Sequence, residues 1–187
     1  KKVSILGVDE RDESKEHNEK VAQKLKVEAK FIAAKISDTP NQVVDIAIAL
    51  HACDTATDDA IYWAVKNNAQ VIMAAPCCMH ELQTQIKEAP EPWALLTKNG
   101  LVKERLVDLI TDSLRAQILK LLGYRVDIVE FIGGEHTARN ILIRAVKTNQ
   151  SFSDIDKDRY QQMLSQWQIK PYLAKLLAAE LKASAGV

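Results

Sequence analysis

Two short segments concentrate the side chains able to do chemistry: His51-Ala52-Cys53-Asp54 and Pro76-Cys77-Cys78-Met79-His80 together hold two imidazoles, three thiols and a carboxylate. An imidazole exchanges protons near neutral pH, a carboxylate accepts them, and a thiolate serves as a nucleophile or a soft metal ligand. Structural zinc motifs space their cysteines C-x2-4-C, a pattern that adjacent Cys77 and Cys78 do not match, so no metal is assigned to them. For one of the two, the plainer role of a small buried apolar residue is favoured. Glu135-His136-Thr137 adds another candidate base, although a histidine in a loop is more often simply solvated or packed.

Chemistry at these positions requires elements that bring them to one rim. Residues 3–8, 29–36, 43–50 and 71–75 are short runs rich in β-branched and apolar residues, and helical patterns follow several of them. Alternating strands and helices predict a parallel sheet, whose ligands gather beyond the carboxyl ends of its strands. Asp9, Asp38, His51 to Asp54 and the Pro76 to His80 segment all lie at such ends. Asp9 could accept hydrogen bonds from the two hydroxyls of a ribose, or cap the next helix. Asp38 could meet an adenine amino group, or stabilise the turn before Pro40.

The run at 43–50 has little polar alternation and predicts a strand buried on both faces. Residues 58–67 predict a helix capped by Thr57 or Asp58, and residues 101–122 a long amphipathic helix ended by Gly123. The simplest placement for Lys103, Glu104, Arg105, Asp108, Asp112 and Arg115 on that long helix is a solvated face, and for Trp63, Trp93 and Trp167 a packing role. Residues 125–132 and 140–146 read as strands able to pair antiparallel. Two helices follow, so residues 1–150 are expected to form an α/β domain and residues 151–187 a helical appendage.

At 187 residues, with 25 Lys and Arg against 25 Asp and Glu and 47% hydrophobic residues, the chain is neither disordered nor strongly basic. No apolar run reaches the roughly 18 residues of a membrane span, so a soluble, cytoplasmic protein with no membrane partner is expected. Three unevenly spaced cysteines make no disulfide framework.

The run Leu50-His51-Ala52-Cys53-Asp54-Thr55-Ala56-Thr57-Asp58, then Ala75-Pro76-Cys77-Cys78-Met79-His80, then Gly134-Glu135-His136-Thr137 with Asn140, resembles a class I S-adenosylmethionine-dependent methyltransferase domain. More narrowly, it resembles a branch of that family with an LHACDTATD segment and a PCC segment. The resemblance spans about residues 3 to 147. It implies a Rossmann-like sheet of seven strands in the order 3-2-1-4-5-7-6, mostly parallel with an antiparallel final pair. In that sheet Asp9 ends the second strand and contacts the cofactor ribose, Asp38 lies near the adenine, the His51 segment ends the fourth strand, and the Cys77-Cys78 segment ends the fifth. S-adenosylmethionine is the implied cofactor, held by Asp9, Asp38 and His51. The implied activity is methyl transfer, with His51 and Asp54 positioning or deprotonating the acceptor and Cys77 and Cys78 shaping its pocket. The acceptor class stays open among protein, small molecule and RNA, with RNA disfavoured by the neutral charge; so does the oligomeric state.

Such domains carry a first strand followed by a glycine-rich turn, whereas the six glycines of this sequence form no G-x-G arrangement. The expectation is therefore the C-terminal part of a longer protein, binding the cofactor poorly by itself and leaving apolar strand edges unpaired. A non-catalytic binding or scaffold module with the same fold is the alternative. A thiol or metal site at Cys53, Cys77, Cys78 and His80 is a third reading.

Overall fold

The computed structural model describes residues 3–50, 52–130, 140–148 and 150–187. Among them the chain forms two compact units, residues 1–42 and 43–187.

In the first unit, the β-rich opening run forms β1 (Ile5–Asp9), followed by α1 (Asp12–Leu25) and β2 (Ala29–Ala33). The strands pair parallel, from Ile5 against Ala29 to Asp9 against Ala33, as a strand-helix-strand crossover requires. Gly7 faces Phe31 across this pair, and a methyl at Gly7 would collide with the ring; glycine lets the aromatic lie flat against the neighbouring strand. Strand β2 is shorter than expected. It ends at Ala33, and Asp38 closes a separate 3-10 turn, Ile36–Asp38, instead of the strand.

The second unit runs β3 (Ile46–Leu50), α2 (Thr55–Lys66), β4 (Val71–Ala75), α3 (Glu81–Gln85), α4 (Ala94–Thr97), α5 (Gly100–Leu121), β5 (Tyr124–Glu130), β6 (Ile141–Lys147), α6 (Asp154–Trp167), α7 (Tyr172–Leu176) and α8 (Ala178–Ala185). Its sheet has the order β3-β4-β6-β5, with β3 parallel to β4 and β6 antiparallel to both β4 and β5. The class is therefore α/β with mixed pairing. In place of one continuous sheet, the described residues form a two-stranded and a four-stranded one.

Register shows which face is covered. Ala47, Ala49, Ile72, Ala74, Ala145, Ile143 and Val126 share one side of the sheet and pack in the core with Ile61, Ile118 and Leu119 from α2 and α5. On the other side Ile46, Ile48 and Leu50 are 57%, 61% and 58% exposed. The expectation that residues 43–50 are buried on both faces is therefore corrected: the described helices that pack on β3 and β4 cover one side only, and β3 begins at Ile46.

Beyond residue 150 the chain adds three helices. The first opens with a capping box in which Ser153 and Asp156 satisfy each other's backbone N–H groups. Trp167, Ile169, Leu173, Leu177 and Leu181 enter the same core as Ile61 and Ile118, so these helices close the far side of α2 and α5. Of the remaining tryptophans, Trp93 is exposed, contrary to the packing role expected of it, and Trp63 is half-buried. No helix among the described residues is long and apolar enough to cross a membrane.

Candidate functional site: the β3 and β4 turns and the Arg115 clamp

Parallel pairing sets Leu50 level with Ala75, so the chain leaves β3 and β4 at the same height. The two following turns are then tied together. The Asp54 N–H donates to the Cys78 carbonyl at 3.0 Å. In return the Asp54 carboxylate accepts from the His80 N–H at 2.9 Å and the Glu81 N–H at 3.0 Å. Asp54 holds this geometry with φ of 51°, a backbone region that favours glycine and costs other residues on the order of 1 to 3 kcal/mol. The tie brings three thiols together: the Cys53 and Cys77 sulfurs are 3.0 Å apart, those of Cys77 and Cys78 3.9 Å, and all three lie within 4.8 Å of one another. None of them forms a disulfide. Partial burial and hydrogen bonding to its neighbours push the Cys77 thiol up to about 12, and burial raises Cys78 as well.

Beneath these turns lies a buried ion cluster. Arg115, 2% exposed, donates Nε and Nη2 to the two carboxylate oxygens of Asp58 at 2.8 and 2.9 Å, and Nη1 to Asp112 at 3.3 Å. Its Nη2 also reaches the Asp54 carbonyl at 3.0 Å. One guanidinium thus ties α2 and α5 to the turn after β3, the fork geometry that suits arginine for bidentate carboxylate pairing. This corrects two expectations. Helix α2 begins at Thr55, which puts Asp58 inside the helix, where its carboxylate turns to Arg115 instead of capping. Asp112 and Arg115 are buried, because the α5 stripe that carries them faces α2 and not solvent. The sequence signal was present in the i, i+3 spacing of Asp112 and Arg115, but the partner Asp58 lies 57 positions away.

Burial raises the Asp58 carboxyl despite the opposing Arg115 charge, and it lifts Asp112 to about 6. A folded-state value above the ordinary 3.8 means that the folded protein keeps a proton that the unfolded chain releases. Stability therefore falls as pH rises from about 4 to about 6, and the full cost is present above that window. Asp112→Asn removes the group. Its stability relative to the parent should climb by about 2 to 3 kcal/mol across this window and then level off, measured by urea unfolding at a series of pH values. Parallel curves for the two proteins would show that Asp112 titrates normally.

A cavity of about 150 Å³ opens beside these groups, lined by Pro76 and Met79 from the β4 turn, Arg105, Asp108, Leu109 and Asp112 from α5, and Ile141. In the first unit, Asp9 stands at the end of β1, and its carboxylate accepts from the Arg11 backbone N–H at 2.9 Å and the Arg11 Nε at 3.2 Å. These contacts hold it below the usual carboxylate range. Arg11, not Asp9, is the residue at the N-cap of α1. Asp38 accepts only a 3.3 Å contact from Ser37 among its described hydrogen bonds.

The structure thus gathers Asp54, Cys53, Cys77 and Cys78 in one place, and adds Asp58, Asp112 and Arg115, which the sequence reading did not select. Asp9 and Asp38 belong to the first unit. His51 and Glu135-His136-Thr137 lie outside the described residues.

Residues 1–85 match the family model described as a methyltransferase domain. Over these residues the chain is similar to methyltransferase domains. The matched stretch runs through β1, α1, β2, β3, α2, β4 and α3, and therefore contains both turns that carry the thiols. No curated protein matches the chain.

Proposed function

We propose that this domain transfers a methyl group from S-adenosylmethionine to an acceptor, with Asp9 holding the cofactor ribose. The supporting observation is the methyltransferase-family match over residues 1–85 together with Asp9 standing at the tip of β1. The fit rests on donor chemistry. Asp9 is ionised and only partly screened, its side chain remaining 37% exposed, and a carboxylate at a strand tip can accept from two vicinal hydroxyls. The order β3-β4-β6-β5 also agrees with the last four positions, 4-5-7-6, of the sheet such domains build.

When bound, the cofactor supplies a methyl already activated by its sulfonium, so the protein must mainly orient the acceptor and exclude water. Asp38 is assigned to the adenine side, and His51 to the boundary between cofactor and acceptor. With one oxygen committed to two backbone N–H groups, Asp54 serves as a positioning residue that ties the segment after β3 to the one after β4. The cavity lined by Pro76 and Met79 is smaller than the roughly 300 Å³ of an ordinary ligand pocket. It suits a small acceptor group on a protein or metabolite better than a whole nucleotide.

Calorimetric titration of the full natural protein with S-adenosylmethionine tests this reading. Asp9→Ala should weaken binding by about 10- to 100-fold, the loss expected for charge-assisted hydrogen bonds, while the thermal unfolding curve stays in place. Unchanged affinity would remove the ribose role. Absence of any binding by the natural protein would favour a scaffold that keeps the fold without turnover.

A further inference from the structure

We propose that Cys53, Cys77 and Cys78 form a three-thiolate site for a zinc ion. A zinc ion with Zn–S bonds of about 2.3 Å in tetrahedral array needs its sulfurs about 3.8 Å apart. The observed separations, 3.0 Å for Cys53 to Cys77 and 3.9 Å for Cys77 to Cys78, with all three within 4.8 Å, bracket that value. The C-x2-4-C spacing rule, which counted against a metal here, applies to ligands delivered by one loop. In this fold two loops deliver them, and the parallel register of β3 and β4 replaces sequence spacing as the device that sets the distance.

The scaffold is also rigid enough to hold a ligand set. Three hydrogen bonds link the Asp54 turn to the Cys78-His80-Glu81 segment, and Arg115 anchors the Asp54 carbonyl from below. Second-shell ties of this kind keep metal ligands in place. Cys53 is exposed and its two companions are half-buried, which gives an ion an entry path. Soft thiolates select zinc over magnesium or calcium. On binding, each thiol gives its proton to solvent and its sulfur lone pair to the metal, so no oxidant or reductant enters the step. Among the described residues, the cluster consists of these three thiols. This inference does not depend on methyl transfer, and its test uses no cofactor.

The test is metal binding by the full natural protein, stripped with a chelator and kept under a non-thiol reductant. Cobalt(II), used as the probe, should give a thiolate-to-metal charge-transfer band and the visible bands of a tetrahedral ion at one equivalent. Zinc should then displace it at one equivalent. Cys53→Ser and Cys77→Ser should each weaken zinc at least about 100-fold in competition with a chromophoric chelator, with circular dichroism unchanged. Because Cys53 is exposed, its replacement leaves the fold intact and keeps the test valid if Cys77→Ser does not fold. A featureless cobalt spectrum, or zinc affinity indifferent to Cys53→Ser, would overturn the site. So would a protein that binds no metal when reduced and joins Cys53 to Cys77 in a disulfide when oxidised.

Discussion

Arg115→Met is expected to destabilise the protein by about 3 to 5 kcal/mol at neutral pH, the usual cost of removing one partner from a buried ion cluster. The reason is the pair of carboxylates left behind. Asp58 and Asp112 are as buried as the arginine, and without it both must either stay charged in an apolar setting or take up protons. The defect should therefore shrink in acid, where both carboxyls become neutral, and Arg115→Met combined with Asp58→Asn should recover a substantial part of the loss. Urea unfolding of the two variants at pH 5 and pH 7.5 measures this. A loss below about 1 kcal/mol, the range of surface ion pairs, would mean that solvent reaches the cluster. Because Arg115 also holds the Asp54 carbonyl, the variant should lose order in the turn that presents Cys53.

The second large effect concerns the C-terminal helices. Trp167→Ala is expected to cost about 3 to 5 kcal/mol, as for truncation of a buried aromatic, because the residue is 6% exposed and belongs to the same core as Ile61 and Ile118. Deleting residues 151–187 should then prevent the remainder of the second unit from folding, since α7 packs on α2 and α5, and α6 and α8 on α5. Thermal unfolding should show Trp167→Ala melting in one cooperative step at a lowered temperature. If instead the deletion leaves a folded protein with an unchanged melting temperature, residues 151–187 are an independent appendage.

Local pattern in the amino-acid order was enough to reveal α5, β4 and the antiparallel partnership of β5 with β6. Hydrophobic periodicity and turn residues act over a few positions, and they are written directly into the chain. The segments after β3 and β4 stood out as candidates by residue type alone, because histidine, cysteine and aspartate are conspicuous. Strand boundaries were not: β2 stops at Ala33 and β3 starts at Ile46, since pairing partners and not propensity end a strand.

Three matters were settled only by tertiary structure. Exposure of Ile46, Ile48 and Leu50 follows from helices packing on one side of β3, which apolar composition alone does not record. The buried role of Arg115 arises because Asp58, 57 residues earlier, is carried to it by the packing of α2 on α5; charge on an amphipathic helix looks the same whether water or a carboxylate faces it. Likewise the distance between Cys53 and Cys77 is a property of strand register. Twenty-four residues of intervening chain leave it undetermined until β3 and β4 pair in parallel and end level with each other.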